Sequence, residues 1–554
     1  MMSRRPNARL TASRAAARNH PMRLLHVLLV AVAIAFVVAP SPAARAQEAA
    51  TEPADVPRLR ALDFTPFESA LATFKPETAA AIDALLRSGN ISTLQAAMKV
   101  GLTSEEVTLY FLARIRKYDD RLRSYVELNP NALSEARAAD RLRAAGKVLG
   151  PLHGIPVNLK DNIATAGPMH TTAGAELLLD NVAPADAALV RRLRAAGAVI
   201  LGKANLSEFA GVIANGPLIG GTSAVGGRAV NPHGNFPTGG SSSGSAVSTA
   251  ALLTMVSVGT ETSGSLVAPA SWNGVVGMKP SKGVVSGEGI VPLIRNNDSA
   301  GPVARTVIDA AILLDGMDER KTDYAAGLRS NALDGVTVGM LNPSVVALEG
   351  NGTMMQQAAA VLAAAGAKMR PAILIDDPDW AKTGPFTLYI GAGIRFDMVP
   401  YVATLKPMIT TPEDLLAYNA GEPTTRMPFG GEILVSLAAQ SKAMTDAEFR
   451  MMGTRLAKAA ARTLDATFAK TGAEVLVSLE NLHSTYYATA GYPAITVPLG
   501  LRQGGGYAAT AGLAAKGMPS GITLIGKSGQ DRALLSYAHA FEQASNLRVA
   551  PKLP

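Results

Sequence analysis

No cysteine occurs in the 554 residues, so disulfide scaffolds and cysteine-ligated zinc are excluded. Charged residues are also scarce, at 17% against 48% apolar; that balance excludes disorder and leaves length for one or two large cores. The seven histidines form no His-x-x-x-His or His-Glu pair, so no metal-ligand set is visible, and neither a metal nor another cofactor is expected. The middle of the chain has no proline- or serine-rich linker and no internal repeat. That favours one large domain over the several that length alone suggests.

The excess of positive charge is local. The formal charge is +8, but Arg4, Arg5, Arg9, Arg14, Arg18, Arg23 and Arg45 all lie in the first 46 residues, where no acidic residue occurs. Without those charges +1 remains, so the body gives no reason to expect a nucleic-acid partner. The same segment has the layout of an export signal: arginines, an apolar run from Leu24 to Val38 broken only by His26, Pro40 and Pro42, then Ala44-Arg45-Ala46. Cleavage is expected after Ala46, with a periplasmic or secreted product. The alternative is a membrane anchor over 24–38, a run shorter than the roughly 20 residues that span a bilayer. No other stretch is apolar enough to cross a membrane.

Residues 47–60, rich in Ala, Glu and Pro, are expected to form a flexible tether. Helices are expected over 61–149: Thr103 and Glu106 make a capping box ahead of Val107, Phe111, Ile115 and Tyr118, and a second helix runs from about Asn131 to Ala145. From Gly150 to about 545 short apolar runs alternate with helices. Ile155 to Leu159 reads as a strand, Ala187 to Ala196 as a helix and Ala198 to Leu201 as a strand, and similar runs recur near 336–340, 475–478, 494–497 and 522–525. Such alternation indicates an α/β layered domain with a buried sheet. The stretch 375–450 is less regular and is expected to be an insertion that shapes a substrate pocket.

Two glycine- and serine-rich clusters stand out, Thr238-Gly-Gly-Ser-Ser-Ser-Gly-Ser245 and Gly259-Thr-Glu-Thr-Ser-Gly-Ser265. Between them lie a helix-compatible run, Gly244 to Thr254, and a strand-compatible run, Met255 to Gly259. At about 1.5 Å per helical residue and about 3.3 Å per strand residue, each covers roughly 16 Å. The chain therefore goes out and returns, which can set Ser241 beside Ser265 at one edge of the sheet. Consecutive N–H groups of Ser263, Gly264 and Ser265, turning after a strand, can point into one concavity and hold an anion. A serine hydroxyl needs a base to act as a nucleophile. Lys160 ends the short apolar strand of Gly150-Pro-Leu-His-Gly-Ile-Pro-Val-Asn-Leu-Lys-Asp-Asn162, and burial there would favour its neutral amine. A solvated lysine at a strand end is the alternative.

Gly197-Ala-Val-Ile-Leu-Gly202-Lys203-Ala204 nearly matches a phosphate-binding loop but fails twice: Ala204 stands where Ser or Thr is required, and the residues between the glycines form an apolar strand.

Taken together, GPLHGIPVNLKDN, GKANLSEFA at 202–210, GGSSSGSA, GTETSGS, GVVGMKP at 274–280 and GYPAITVPLG at 491–500 resemble the amidase signature family. The resemblance covers roughly residues 85–545, with six blocks in the family's order and the two serines 24 positions apart. It implies a single α/β domain, an α/β/α sandwich around a large mixed sheet, and an enzyme that hydrolyses carboxamides of small molecules or peptides. It also implies a Ser-cisSer-Lys triad: Ser265 as nucleophile, Ser241 as the bridging serine after a cis Gly240-Ser241 peptide, Lys160 as base and Thr260 as support. Backbone N–H groups of Thr262, Ser263, Gly264 and Ser265 would then hold the oxyanion, at about 3 kcal/mol per donor.

Two departures bear on the substrate. Leu266 and Val267 follow Ser265 where many members carry a hydrophobic residue and then arginine, which removes a carboxylate anchor; Ser263 replaces a usual glycine. With GTETxGS, the missing arginine resembles the peptide amidase branch. Two other readings remain. Gly240-Ser-Ser-Ser-Gly244 fits a Gly-x-Ser-x-Gly esterase elbow with Ser242 as nucleophile and His483 or His539 as base, although the preceding segment is a poor strand. A non-catalytic scaffold, or a subunit like those of the tRNA-dependent amidotransferases, is the other. The sequence gives no oligomeric state.

Overall fold

A computed structural model describes residues 56–214, 220–342, 350–375, 385–504 and 516–553. The expected signal, its cleavage point and the run 24–38 lie outside these, as does the tether up to residue 55. From Val56 onward the chain is docked rather than loose. The Arg58 guanidinium pairs with the buried Asp119 carboxylate at 2.8 Å, and Leu59 N–H donates to Val225 C=O at 3.1 Å. No helix among the described residues is long and apolar enough to cross a membrane.

The architecture is the expected α/β one. Eleven strands form one mixed sheet: β1 (Tyr125–Leu128), β2 (Pro156–Lys160), β3 (Val199–Ala204), β6 (Val256–Glu261), β7 (Val276–Lys279), β8 (Ser299–Ala304), β9 (Thr337–Leu341), β10 (Lys368–Ile373), β11 (Val475–Leu479), β12 (Ala494–Leu501) and β13 (Pro519–Ile525). β4 (Thr222–Ser223) and β5 (Gly227–Arg228) form a separate hairpin. The order in the sheet is β1-β3-β2-β6-β8-β7-β12-β13-β11-β9-β10. Three strands, β3, β2 and β6, run parallel, as do β11, β9 and β10; antiparallel pairs join the two groups. Central strands are buried on both faces; β3 and β11 read as largely apolar runs, while β2 and β6 carry Asn158 and Ser257 among their apolar residues.

Local signals explain the N-terminal helices. Thr103 caps the helix Ser104–Leu122 through the reciprocal box with Glu106, and the second expected helix spans Ala132–Ala144. β1 lies between them, a strand where only helix was expected. Its four residues, Tyr-Val-Glu-Leu, are too short a pattern to read unaided, and its hydrogen bonds come from β3.

The region expected to be irregular is helical. Helices Phe386–Gly393, Val399–Leu405, Pro412–Gly421, Glu432–Ser441 and Asp446–Thr471 build a second apolar core with Leu177, Leu178, Phe209, Val291, Leu293 and Ile294, and a short helix, Pro423–Arg426, lies outside it. Its helices pack on more than one side and carry Gly391, Gly393 and Pro400 inside them, so the one-sided stripe that marks a surface helix is weak.

Candidate active site

Register brings the site together. β2 and β6 pair in parallel with Leu159 opposite Val258, so Lys160 ends its strand beside Thr260. After the second cluster's strand the chain turns at 262–265 into the helix Val267–Trp272, while the first cluster leads into the helix Ser243–Ala250. Ser242 N–H donates to Ser265 C=O at 3.1 Å, tying the two clusters backbone to backbone. The out-and-back path read from the sequence is the path observed, with the helix at 243–250 and the strand at 256–261.

Lys160 is fully buried. Its Nζ sits among four oxygens: Ser241 Oγ at 2.8 Å, Thr260 Oγ1 at 2.9 Å, Ser242 Oγ at 3.1 Å and Thr260 C=O at 3.3 Å. Burial lowers its pKa to about 7, against the weaker pull of Asp298 and Glu261. The amine is thus partly neutral near pH 7 and aimed at the Ser241 hydroxyl, and the solvated strand-end alternative does not hold. The Gly240-Ser241 peptide is cis. Two other lysines are equally buried but face elsewhere: Lys203 pairs with Asp161 at 3.4 Å, and Lys279 donates to Pro280 C=O. The pairing of Lys203 with Asp161 also gives the lysine of the near-match phosphate loop a structural partner.

The turn at 262–265 has the shape of an anion cradle. None of the N–H groups of Thr262, Ser263, Gly264 and Ser265 donates to a protein acceptor among the described residues, whereas the next two, Leu266 and Val267, both donate to Glu261 Oε2, at 2.8 and 3.1 Å. Gly264 has φ +84°, and a Cβ there would lie 2.9 Å from Asn481 Nδ2; only glycine fits. The Ser265 hydroxyl forms no hydrogen bond to Ser241 or to any other described residue, so the contact expected between these two side chains is not made in this state; the bond joining their segments is the backbone one above.

Sequence reasoning missed three contributors. Asn162 Nδ2 donates to Thr260 Oγ1 at 3.1 Å; it closes the GPLHGIPVNLKDN block, which was its signal. Glu261 holds the start of the helix after the turn. Asp298 accepts from Thr262 Oγ1 at 2.6 Å and from the N–H groups of Leu293 and Ile294 at 2.8 and 3.0 Å, and burial pushes its pKa up to about 6. Nothing in the local sequence marked Asp298.

Ser242 is not an esterase elbow. It is fully buried, its Oγ donates to Thr260 C=O at 2.9 Å, and His483 Nδ1 is paired with Ser478 at 2.7 Å. His539 lies near Glu542 on the C-terminal helix.

A cavity of about 240 Å³ opens beside this cluster, lined by Asn162, Phe209, Thr260, Thr262, Val291 and Asp298 among others. Among the described residues its walls come from 162–300. The helical region stands behind the wall: Asp397 accepts from Arg295 N–H at 2.8 Å.

A family model described as Amidase matches residues 106–535. The chain belongs to the amidase family. It is 34% identical over 472 residues to a probable amidase of Arabidopsis thaliana, covering 81% of this chain and 88% of that protein. A glutamyl-tRNA(Gln) amidotransferase subunit of Methylococcus capsulatus is 31% identical over 491 residues, covering 80% of this chain and 94% of that protein. Among solved structures, the native peptide amidase of Stenotrophomonas maltophilia superposes with a TM-score of 0.76 at 36% identity, over 84% of this chain and 99% of that one. The family and this neighbour support an amide-hydrolysing enzyme.

Proposed function

We propose that this amidase is exported and cleaves the C-terminal carboxamide of peptides through a seryl acyl-enzyme. Lys160, neutral, accepts a proton through Ser241 from Ser265, whose oxygen attacks the amide carbon. The tetrahedral oxyanion is held by the free N–H groups of the 262–265 turn. The proton returns to the leaving ammonia, and water then attacks the ester by the same relay. The observation that carries the reading is the 2.8 Å contact between Lys160 Nζ and Ser241 Oγ in a fully buried setting. Closure of the remaining step, from Ser241 to Ser265, is expected on substrate binding.

The peptide preference rests on the likeness to the Stenotrophomonas protein and on Leu266 and Val267, which offer no charge to bind a small carboxylate. A tRNA-dependent role is disfavoured by the near-neutral body. Export rests on the segment 1–46; the mature chain is expected to begin at Gln47. A panel of peptide amides, aryl acylamides and fatty amides, followed by ammonia or amine release, tests the reading. Release from peptide amides that disappears in Ser265→Ala is expected. Hydrolysis confined to aryl or fatty amides would replace the substrate class, and release unchanged in Lys160→Ala would remove the lysine base.

A further inference from the structure

A second cavity, of about 670 Å³, lies towards the other end of the sheet. β8 gives the separation: Ser299 and Ala300 line the first cavity, and Arg305, just past the far end of that strand, lines the second. Six residues of extended chain at about 3.3 Å each place them about 20 Å apart. The volume falls in the ~300–1,000 Å³ range of small-molecule sites. Its walls are the junction of helices Pro76–Ser88 and Ile91–Lys99, the start of the helix Val307–Met317, Val497 and Pro498 of β12, and the end of the helix Asp531–Ser545 with its tail.

The lining brings two guanidiniums together with one carboxylate, Glu542, while a second carboxylate, Asp309, acts on Arg305 from behind the wall. Arg305 is 4% exposed; two of its nitrogens donate to the carbonyls of Leu86 and Gly89, at 2.5 and 3.2 Å, and its Nε has no acceptor. Arg548, on the tail, forms no hydrogen bond or ion pair among the described residues, and its Nε is buried. Burial, reinforced by the charge of Arg305, lowers its pKa to about 10. Glu542 is the one carboxylate among the described lining residues, and its Oε1 accepts from Val307 N–H at 2.8 Å. His539 Nδ1 stands 3.6 Å from the other oxygen of Glu542. Arg87 at the rim pairs with Asp83 at 2.6 Å. Asp309, behind the wall, accepts from Ile91 N–H.

Taking a cation out of water without a partner is costly; Arg305 is buried and Arg548 half-buried. Two neighbouring guanidiniums that repel each other, that of Arg548 without a hydrogen-bond partner among the described residues, match an oxyanion that accepts from a planar fork. We propose that this cavity is an anion-binding site that takes a small phosphate-class oxyanion on Arg548 and Arg305, apart from the hydrolytic centre.

Calorimetric titration of the full chain with inorganic phosphate at low ionic strength tests it, with sodium chloride of matched ionic strength as control. Saturable one-to-one binding is expected, weakened about 10-fold or more in Arg548→Gln and only partly in Arg548→Lys, which keeps the charge but loses the fork. Amide hydrolysis by Arg548→Gln without phosphate should match the parent, which also shows that the variant folds. The proposal is overturned by no saturable binding, or by equal binding in Arg548→Gln. Competitive inhibition of hydrolysis by phosphate, equal in both proteins, would likewise overturn it by placing the anion in the first cavity.

Discussion

Lys160 has four oxygens around its amine and, among the described residues, no carboxylate within 4 Å. Burial takes the ammonium out of water with no adjacent carboxylate to compensate, which is why its pKa falls to about 7. Two outcomes follow at the residue scale. First, kcat/KM for an uncharged amide should rise with pH through an apparent pKa near 7, the acid limb belonging to Lys160. Second, an unfolded lysine titrates near 10.5, so between about 7 and 10.5 the unfolded chain binds more protons than the folded one. Unfolding free energy must therefore increase with pH across that window. Urea denaturation of the parent and of Lys160→Met should show the difference between them shifting in favour of the parent from about pH 7 to about pH 10. A constant difference would mean that the amine is not shifted.

At the scale of elements, the turn between β6 and the helix Val267–Trp272 is held from both ends. Glu261 captures the first N–H groups of the helix, and Gly264 supplies a positive φ against Asn481. Glu261→Ala leaves two buried donors unmet and should cost about 2–4 kcal/mol in chemical denaturation. Gly264→Ala adds a Cβ where none fits and should lower kcat at least about 100-fold by displacing oxyanion donors, with a smaller change in KM. Little change in kcat would separate the turn from the chemistry. The sequence already exposed this element: a strand-length apolar run followed by Gly-Thr-Glu-Thr-Ser-Gly-Ser has a single sensible path. It did not expose Asp298, 33 residues beyond Ser265, because a carboxylate that accepts from a distant threonine and two loop N–H groups leaves no periodic or spacing signal. β1 escaped for a related reason, since its partner strand lies more than 70 residues away.

For the whole molecule, the helical region at 386–471 governs how firmly the cavity wall is held. Its second core leans on Val291, Leu293 and Ile294, and Asp397 bridges Arg295 N–H and the Arg450 guanidinium, at 2.8 and 2.7 Å. Asp397→Ala should lower Tm and raise KM several-fold while leaving kcat within about threefold, because the lysine and serines stand on the sheet. A fall in kcat with unchanged KM in steady-state assays would contradict that division. The sheet was legible because buried strands read as apolar runs. The helices at 386–471 were not, because helices packed on several sides lack a clean stripe.

Everything else depends on the activation of Ser265 by a neutral Lys160 through Ser241. The rate of covalent labelling by a serine-directed fluorophosphonate, followed against pH by intact mass and peptide mapping, addresses it most directly. Label is expected on Ser265, at a rate that climbs through an apparent pKa near 7 to a plateau, and the reaction should be lost in Lys160→Ala. Label on Ser242, or a rate at Ser265 indifferent to both pH and the lysine, would contradict it.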